Sequence, residues 1–454
     1  MSESRRLFGT DGIRGRANVA PMTPETALRV GLAVAHHFGR HGKVIVGKDT
    51  RRSSYMFEMA VTAGLCAMGA DVFLVGPLPT PGIAHVTHSM RADAGVVISA
   101  SHNPFSDNGI KLFAEDGFKL PDETERRLER LMASDELDER RAEGADVGRA
   151  KRIEDARGRY IAHVKLAFPD ELDLEGTKVV VDCANGAGYF VGPLVFAELG
   201  ADVTPLGVAP NGVNINDGCG ALAPAAMQAK VREVGADIGI ALDGDGDRAI
   251  FCDEKGRLVD GDAILALCAR DLVTRGELPS RTVVGTVMSN MGLERSLEEV
   301  GVSLLRTPVG DRYVVDAMRR GGHVLGGEQS GHLVFLRHST TGDGLVAALH
   351  VLAVMRRMGR PLSELVAPFE PFPQRTVSLK VRAKPPIEQL ATLQRVLAEL
   401  EREFMGQGRV LVRYSGTEPK IRLMVEARDP EVLPGALARL EEAVAADLDL
   451  VEGP

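Results

Sequence analysis

A three-fold internal repeat constrains this chain more than any other feature of it. Lys43-Val44-Ile45-Val46-Gly47 reads as a strand, and a helical stretch follows. Ala67-Met68-Gly69-Ala70-Asp71-Val72-Phe73-Leu74-Val75-Gly76 then closes the unit with a glycine and a second strand. The same order returns at Lys178-Val179-Val180-Val181-Asp182 with Glu198-Leu199-Gly200-Ala201-Asp202-Val203. It returns again at Thr282-Val283-Val284-Gly285 with Glu299-Val300-Gly301-Val302-Ser303-Leu304. Strand, helix, glycine, strand is the grammar of βαβ units. Repetition at this level must be read before anything local, because it sets the architecture.

Each copy ends in a further strand that carries a polar loop. The first is Gly95-Val96-Val97-Ile98-Ser99-Ala100-Ser101-His102-Asn103-Pro104, four apolar residues running into small and polar ones stopped by a proline. The second is Asp243-Gly244-Asp245-Gly246-Asp247-Arg248, and the third is Gly326-Gly327-Glu328-Gln329-Ser330-Gly331-His332. Open α/β sheets put their chemistry outside the carboxyl ends of strands. Three alike domains presenting these loops to a shared cleft are therefore expected.

Domain edges follow from composition. At about 150 residues per domain, 454 residues suit about three domains, and 44% hydrophobic content supplies their cores. Residues 122–158 are charge-dense and read as a solvated helix leading into a connector. Pro368, Pro371 and Pro373 mark a linker. Beyond it, Thr376–Arg382 alternates like a strand with an exposed face, and Ile387–Phe404 has helical periodicity. The expected fold is α/β: three similar domains with mixed sheets at 1–155, 156–255 and 256–368, then a smaller α+β domain at 369–454.

The loops carry the chemistry. Ser99 and Ser101 compete as the reactive hydroxyl, and Ser101, past the strand with His102 beside it, is the better nucleophile candidate. Asp243, Asp245 and Asp247 alternate, so in extended geometry their carboxylates share one side. Three such charges together call for a counter-ion, and oxygen ligands favour magnesium, calcium or manganese over zinc. An EF-hand fails, because position six from Asp243 is Arg248 where that loop needs glycine. A phosphorylated serine beside three aspartates would complete a magnesium site poised for phosphoryl transfer. In Arg413-Tyr414-Ser415-Gly416-Thr417-Glu418-Pro419, with Arg422 beyond, hydroxyls, open backbone N–H groups and two guanidinium forks suit a phosphate. Gly9-Thr10-Asp11-Gly12-Ile13-Arg14-Gly15 has similar character and also reads as a tight turn.

Composition excludes other classes. With 54 basic against 63 acidic residues the net charge is −9, and aromatics are 4% with no tryptophan. Neither the basic stripe nor the stacking platforms of a nucleic-acid binder are expected. Cys66, Cys183, Cys219, Cys252 and Cys268 are scattered without a C-x-x-C pair, as reduced thiols of a cytoplasmic protein would be. The amino-terminal residues show no apolar signal core, and there is no apolar run of about 18 residues, so no membrane partner is expected.

Taken jointly, the glycine- and arginine-containing segment 9–15, the Ser101 and Asp243–Arg248 loops, Gly327–His332 and Arg413–Pro419 resemble the α-D-phosphohexomutase superfamily, in its glucosamine-phosphate branch. The resemblance runs from residue 9 to residue 422. It implies four domains around a central cleft, a phosphorylated Ser101, and one magnesium ion held by that phosphate with Asp243, Asp245 and Asp247. It implies that Glu328 and Ser330 hold sugar hydroxyls. Arg413, Ser415, Gly416, Thr417 and Arg422 would hold the phosphate not being transferred. Lys111, His102, Arg14 and Arg248 would neutralise charge or move protons. The implied reaction turns glucosamine 6-phosphate into glucosamine 1-phosphate through a bisphosphate. The rivals are a sister mutase acting on glucose or mannose phosphates and a catalytically silent phosphosugar-binding protein. A homodimer is compatible with this reading.

Overall fold

The computed structural model describes residues 7–9, 11–415 and 419–451. They form two compact units, residues 1–288 with 300–368 and residues 289–299 with 369–454.

The first unit holds three sheets built to one plan. In the first, the parallel strands Lys43–Lys48, Asp71–Pro77 and Ala94–Ile98 are followed by Asp107–Ala114, antiparallel to the third. In the second sheet the parallel strands are Lys178–Asp182, Asp202–Leu206 and Ile238–Leu242, and the antiparallel one is Ala249–Asp253. The third sheet repeats this with Thr282–Thr286, Ser303–Thr307 and Leu325–Gly327 against Leu333–Phe335. In each sheet the third strand pairs with the first, and the polar loop is the connection from third strand to fourth. A buried apolar strand must end where its backbone can turn, so small and polar residues gather there. The repeat seen in the sequence is thus a repeat of topology.

The first sheet has two more strands. Ile13–Arg16 pairs antiparallel with Asp107–Ala114, and this brings the Asp11–Arg14 segment to the Ser101 side of the sheet. Ala150–Arg152 adds a parallel edge strand beside Asp71–Pro77. That strand corrects the reading of 122–158 as helix and connector. Helices do occupy Asp122–Met132 and Glu136–Glu139, but Ala150–Arg152 is exposed on both faces and lacks the apolar alternation that announces a strand.

The second unit is a three-stranded antiparallel sheet, ordered Gln374–Lys380, Lys420–Ala427 and Gly408–Tyr414, packed by the helices Ala391–Phe404 and Val432–Asp447. It also contains the helix Met291–Glu298. Asn290 donates to the Phe372 carbonyl at 3.0 Å, and Arg409 donates to the Ser289 carbonyl at 2.6 Å.

Candidate active site

Ser101 sits at the mouth of Ala94–Ile98, buried, with a left-handed backbone (φ 52°). A side chain that is not glycine pays for this conformation, and such residues cluster at functional sites. Ser99 and Ser101 divide the work between them. Ser99 Oγ donates to Asp49 Oδ2 at 2.7 Å and accepts from the Ser101 N–H at 2.9 Å, which makes it a brace for the turn. Ser101 Oγ donates instead to Asp243 Oδ2 at 2.5 Å and lies 3.3 Å from His102 Nδ1.

Asp243, Asp245 and Asp247 are all buried, and one carboxylate oxygen from each lies within 4.8 Å of the others. They do not converge as alternate residues of an extended strand. The loop is a tight turn between two antiparallel strands, with Gly246 at φ 72°, and the turn folds the three side chains onto one point. Burial, with Asp247 and Asp245 beside it, pushes the Asp243 carboxyl well above the usual range. Burial would raise Asp247 too, but Lys111, His332 and Arg248 hold it well below.

Cations surround this acidic group. Lys111 Nζ is 2.9 Å from Asp245, 3.3 Å from Asp11 and 3.5 Å from Asp247. Burial opposes its charge, but those three carboxylates raise its pKa and keep it an ammonium. Thr80 Oγ1 donates to Asp245 Oδ2 at 2.6 Å. Arg14 pairs with Asp11, and Arg248 lies 3.8 Å from Asp247. His102 is pushed down to about 4, first by burial and then by Arg248 and Arg14, so its ring is neutral at neutral pH.

Among the described residues, four buried polar atoms here have no hydrogen-bond partner: Oδ1 of Asp245 and Asp247, and Nε of Arg14 and Arg248. Buried polar atoms are rarely left orphaned. Two acceptors without donors fit a divalent cation with oxygen ligands, and two guanidinium donors without acceptors fit a phosphate.

The third loop turns on Glu328, whose Oε1 accepts from the Gly310 N–H at 3.2 Å and whose Oε2 is 3.4 Å from Ser330 Oγ. Gln329 turns away from it, donating to Asp260, the N-cap of helix Gly261–Thr274. In the second unit, Arg413 and Arg422 are direct cross-strand partners. Burial and the adjacent Arg422 charge lower the Arg413 pKa. The Ser415 N–H donates to the Lys420 carbonyl at 2.8 Å. Gly416 and Thr417, like Thr10, lie outside the described residues.

Lys119, Asp311 and Arg312 lie outside every motif read from the sequence, and His332 closes the third loop without a role assigned there. Lys119 bridges Asp11 and Asp311. His332 accepts from the Gly342 N–H at Nε2, which leaves its proton on Nδ1, 3.8 Å from Asp247. Arg312 pairs with Glu125 at 2.8 Å and with Asp122. A Gly-Asp-Arg sequence opening a helix, Gly310-Asp311-Arg312, was the available signal.

Sequence comparison matches residues 5–139, 158–256 and 260–372 to the phosphoglucomutase/phosphomannomutase alpha/beta/alpha domains I, II and III, and residues 377–446 to the C-terminal domain of the same family. The chain belongs to the phosphoglucomutase/phosphomannomutase family. Among members of this family, a phosphoglucosamine mutase of Anaeromyxobacter dehalogenans is 57% identical over 456 residues, covering 97% of this chain and all of that one. One from Myxococcus xanthus is 58% identical over 429 residues, 94% of each chain. The fold matches a family protein from Burkholderia thailandensis with a TM-score of 0.81 at 24% identity, over 98% of this chain and 99% of that one. It also matches the Aspergillus fumigatus N-acetylphosphoglucosamine mutase solved with GlcNAc-6P and magnesium, with a TM-score of 0.67 at 19% identity, over 97% and 96%.

Proposed function

We propose that this chain is a mutase interconverting glucosamine 6-phosphate and glucosamine 1-phosphate, with Ser101 carrying the transferred phosphoryl group and a hexosamine bisphosphate between the two half-reactions. The observation that carries the reading is the hydrogen bond from Ser101 Oγ into the Asp243–Asp247 group, with orphaned acceptors and orphaned guanidinium donors around it. The full-length likeness to phosphoglucosamine mutases supports the choice of sugar.

In the first half-reaction a sugar hydroxyl attacks the phosphorus on Ser101. The bond from phosphorus to the sugar oxygen forms as the bond to Ser101 Oγ breaks. The hydroxyl proton needs an acceptor and Ser101 Oγ needs a proton, and the neutral His102 ring beside Oγ can hold one in transit. Arg14, Arg248 and Lys111 supply the positive charge that a transferring phosphoryl group demands. Asp243, Asp245 and Asp247, with a phosphate oxygen on Ser101, would hold one magnesium ion, which neutralises developing charge on the phosphoryl oxygens when bound. Glu328 and Ser330 would hold sugar hydroxyls. Arg413, Ser415, Gly416, Thr417 and Arg422 would grip the phosphate at rest. The bisphosphate then turns end for end, and Ser101 takes back the other phosphoryl group. The enzyme would work in the cytoplasm, with sugar phosphates as its partners.

Substrate preference tests the sugar assignment. Glu328 is an anionic acceptor for an ammonium at the 2-position, and a charge-assisted hydrogen bond contributes roughly 1.5–3 kcal/mol. The expected kcat/KM for glucosamine phosphate is therefore on the order of 10–150-fold above that for glucose or mannose phosphate. Faster turnover of either hexose phosphate, side by side at one pH and one magnesium concentration, would move the chain to a sister activity.

A further inference from the structure

Ser101 is held in its left-handed conformation by two side chains, Arg51 and Asn216, that bond its carbonyl and not its hydroxyl. Its carbonyl oxygen accepts two hydrogen bonds, from Arg51 Nη2 at 2.8 Å and from Asn216 Nδ2 at 2.9 Å. A carbonyl has two lone pairs, so both are engaged. The same two side chains reach the Asn103 carbonyl, at 2.8 Å from Arg51 and 3.1 Å from Asn216, and Arg51 also donates to the Pro104 carbonyl. Arg51 is fully buried and pinned by Asp49 at 2.8 Å. Asn216 comes from the second βαβ repeat, the one that also carries the acidic loop. Gly244 of that loop packs so closely that a Cβ there would stand 2.5 Å from the Ser101 carbonyl oxygen and 2.8 Å from Asn216 Nδ2.

We propose that Asn216 is a positioning residue for phosphoryl transfer. With Arg51 it fixes the carbonyls of the Ser101 turn and so aims Ser101 Oγ at the acidic loop of the second repeat. Arg51 ties the turn to its own domain, through Asp49. Asn216 ties it to the neighbouring one, alongside the bonds from Thr50 Oγ1 to the Asn185 carbonyl and from the Arg52 N–H to the Gly212 carbonyl. The side chain of Asn216 therefore registers the serine against the aspartates. Small displacements of a reacting atom cost rate out of proportion to their size.

The inference rests on Ser101 as the phosphoryl carrier, and the test separates the two. Asn216 itself has φ 59°, so alanine there would add backbone strain while glycine would not. Asn216→Gly removes the whole side chain, carboxamide and methylene, without straining the backbone. Asn216→Asp keeps the size and the tolerance of positive φ, but turns a carboxylate oxygen toward two carbonyl oxygens. Each variant is compared with wild type after loading with a hexose 1,6-bisphosphate, by intact mass, melting temperature, kcat and KM. The expected result is a phosphate on Ser101 in all three proteins and a melting temperature for Asn216→Gly lowered by only about a few degrees, as the loss of its hydrogen bonds implies. Its kcat should fall about tenfold with KM within about twofold, and Asn216→Asp should lose more. A kcat for Asn216→Gly equal to wild type would overturn the positioning role. So would losses of kcat, KM and melting temperature that move together in both variants, because those describe structural damage only. Wild type that takes up no phosphate on Ser101 would instead overturn the carrier assignment.

Discussion

Ser101 Oγ and Asp243 Oδ2 stand 2.5 Å apart although 142 residues separate them in the chain. Each lies in the same topological slot of its own sheet, the connection from third strand to fourth. Two copies of one supersecondary unit, facing each other, thus make a bond that neither copy could make alone.

If Ser101 carries the phosphoryl group, purified enzyme holds a substoichiometric phosphate there, and Ser101→Ala loses both the phosphate and turnover, the latter by on the order of 10³-fold or more. Phosphopeptide mapping checks the site. A phosphate on Ser99 would overturn the assignment, since Ser99 Oγ is already committed to Asp49.

Chelation should abolish activity and magnesium should restore it, because the buried Asp245 Oδ1 and Asp247 Oδ1 have no hydrogen-bond donor within bonding distance among the described residues. Asp245→Asn should weaken metal binding at least about tenfold by titration calorimetry while the protein stays folded. Full activity in excess chelator would contradict this.

Arg312 and Glu125 form a buried bidentate pair that joins helix Asp311–Gly321 to helix Asp122–Met132. Removing Arg312 takes this bidentate pair from the buried Glu125 carboxylate. Arg312→Met should therefore destabilise by about 3–5 kcal/mol, and Arg312→Met with Glu125→Leu by much less. Denaturant unfolding of the two single variants and the double variant measures the coupling. Equal losses in the single and double variants would mean that the pair has no such role.

Asp343 caps helix Gly344–Met358 and accepts from Tyr160 Oη at 2.9 Å, wholly buried. Burial pushes its carboxyl up to about 6, against an unfolded value near 3.8. The folded state therefore binds the extra proton between those values. The group's contribution is full below about pH 3.8 and is lost as pH rises through about 6. An asparagine side chain at this position would keep the cap through its one carbonyl oxygen, its amide NH2 then donating to Tyr160 Oη, without the charge. Relative to wild type, Asp343→Asn should gain roughly 3 kcal/mol between about pH 4 and pH 7. A stability difference that stays flat across that range would show that Asp343 keeps an ordinary pKa.

Much of this molecule was legible because its signals are local. The runs Lys43–Gly47, Lys178–Asp182 and Thr282–Gly285 announce buried strands by their own composition, and each polar loop sits at a strand end where a chain must turn. Ser101 and the three aspartates stood out together, as two such loops whose chemistry is complementary, and periodicity showed the alternating strand and the helix after Pro373. The antiparallel strand that closes each sheet follows from a short loop.

Partners chosen across the fold were not legible. The aspartates alternate in the sequence, yet a turn at Gly246 brings them together, so the pattern pointed to three carboxylates that do converge, for the wrong geometric reason. Arg51 and Asn216 look like ordinary residues of polar loops, and only the packing of two repeats puts both on the Ser101 carbonyl. Lys119 and Asp311, 192 residues apart, belong to the same case. Hydrophobic periodicity reports which face of one element is buried, and that is a property of a few consecutive residues. A buried polar group must find its partner wherever the packed elements place one, and that is a property of the tertiary structure alone.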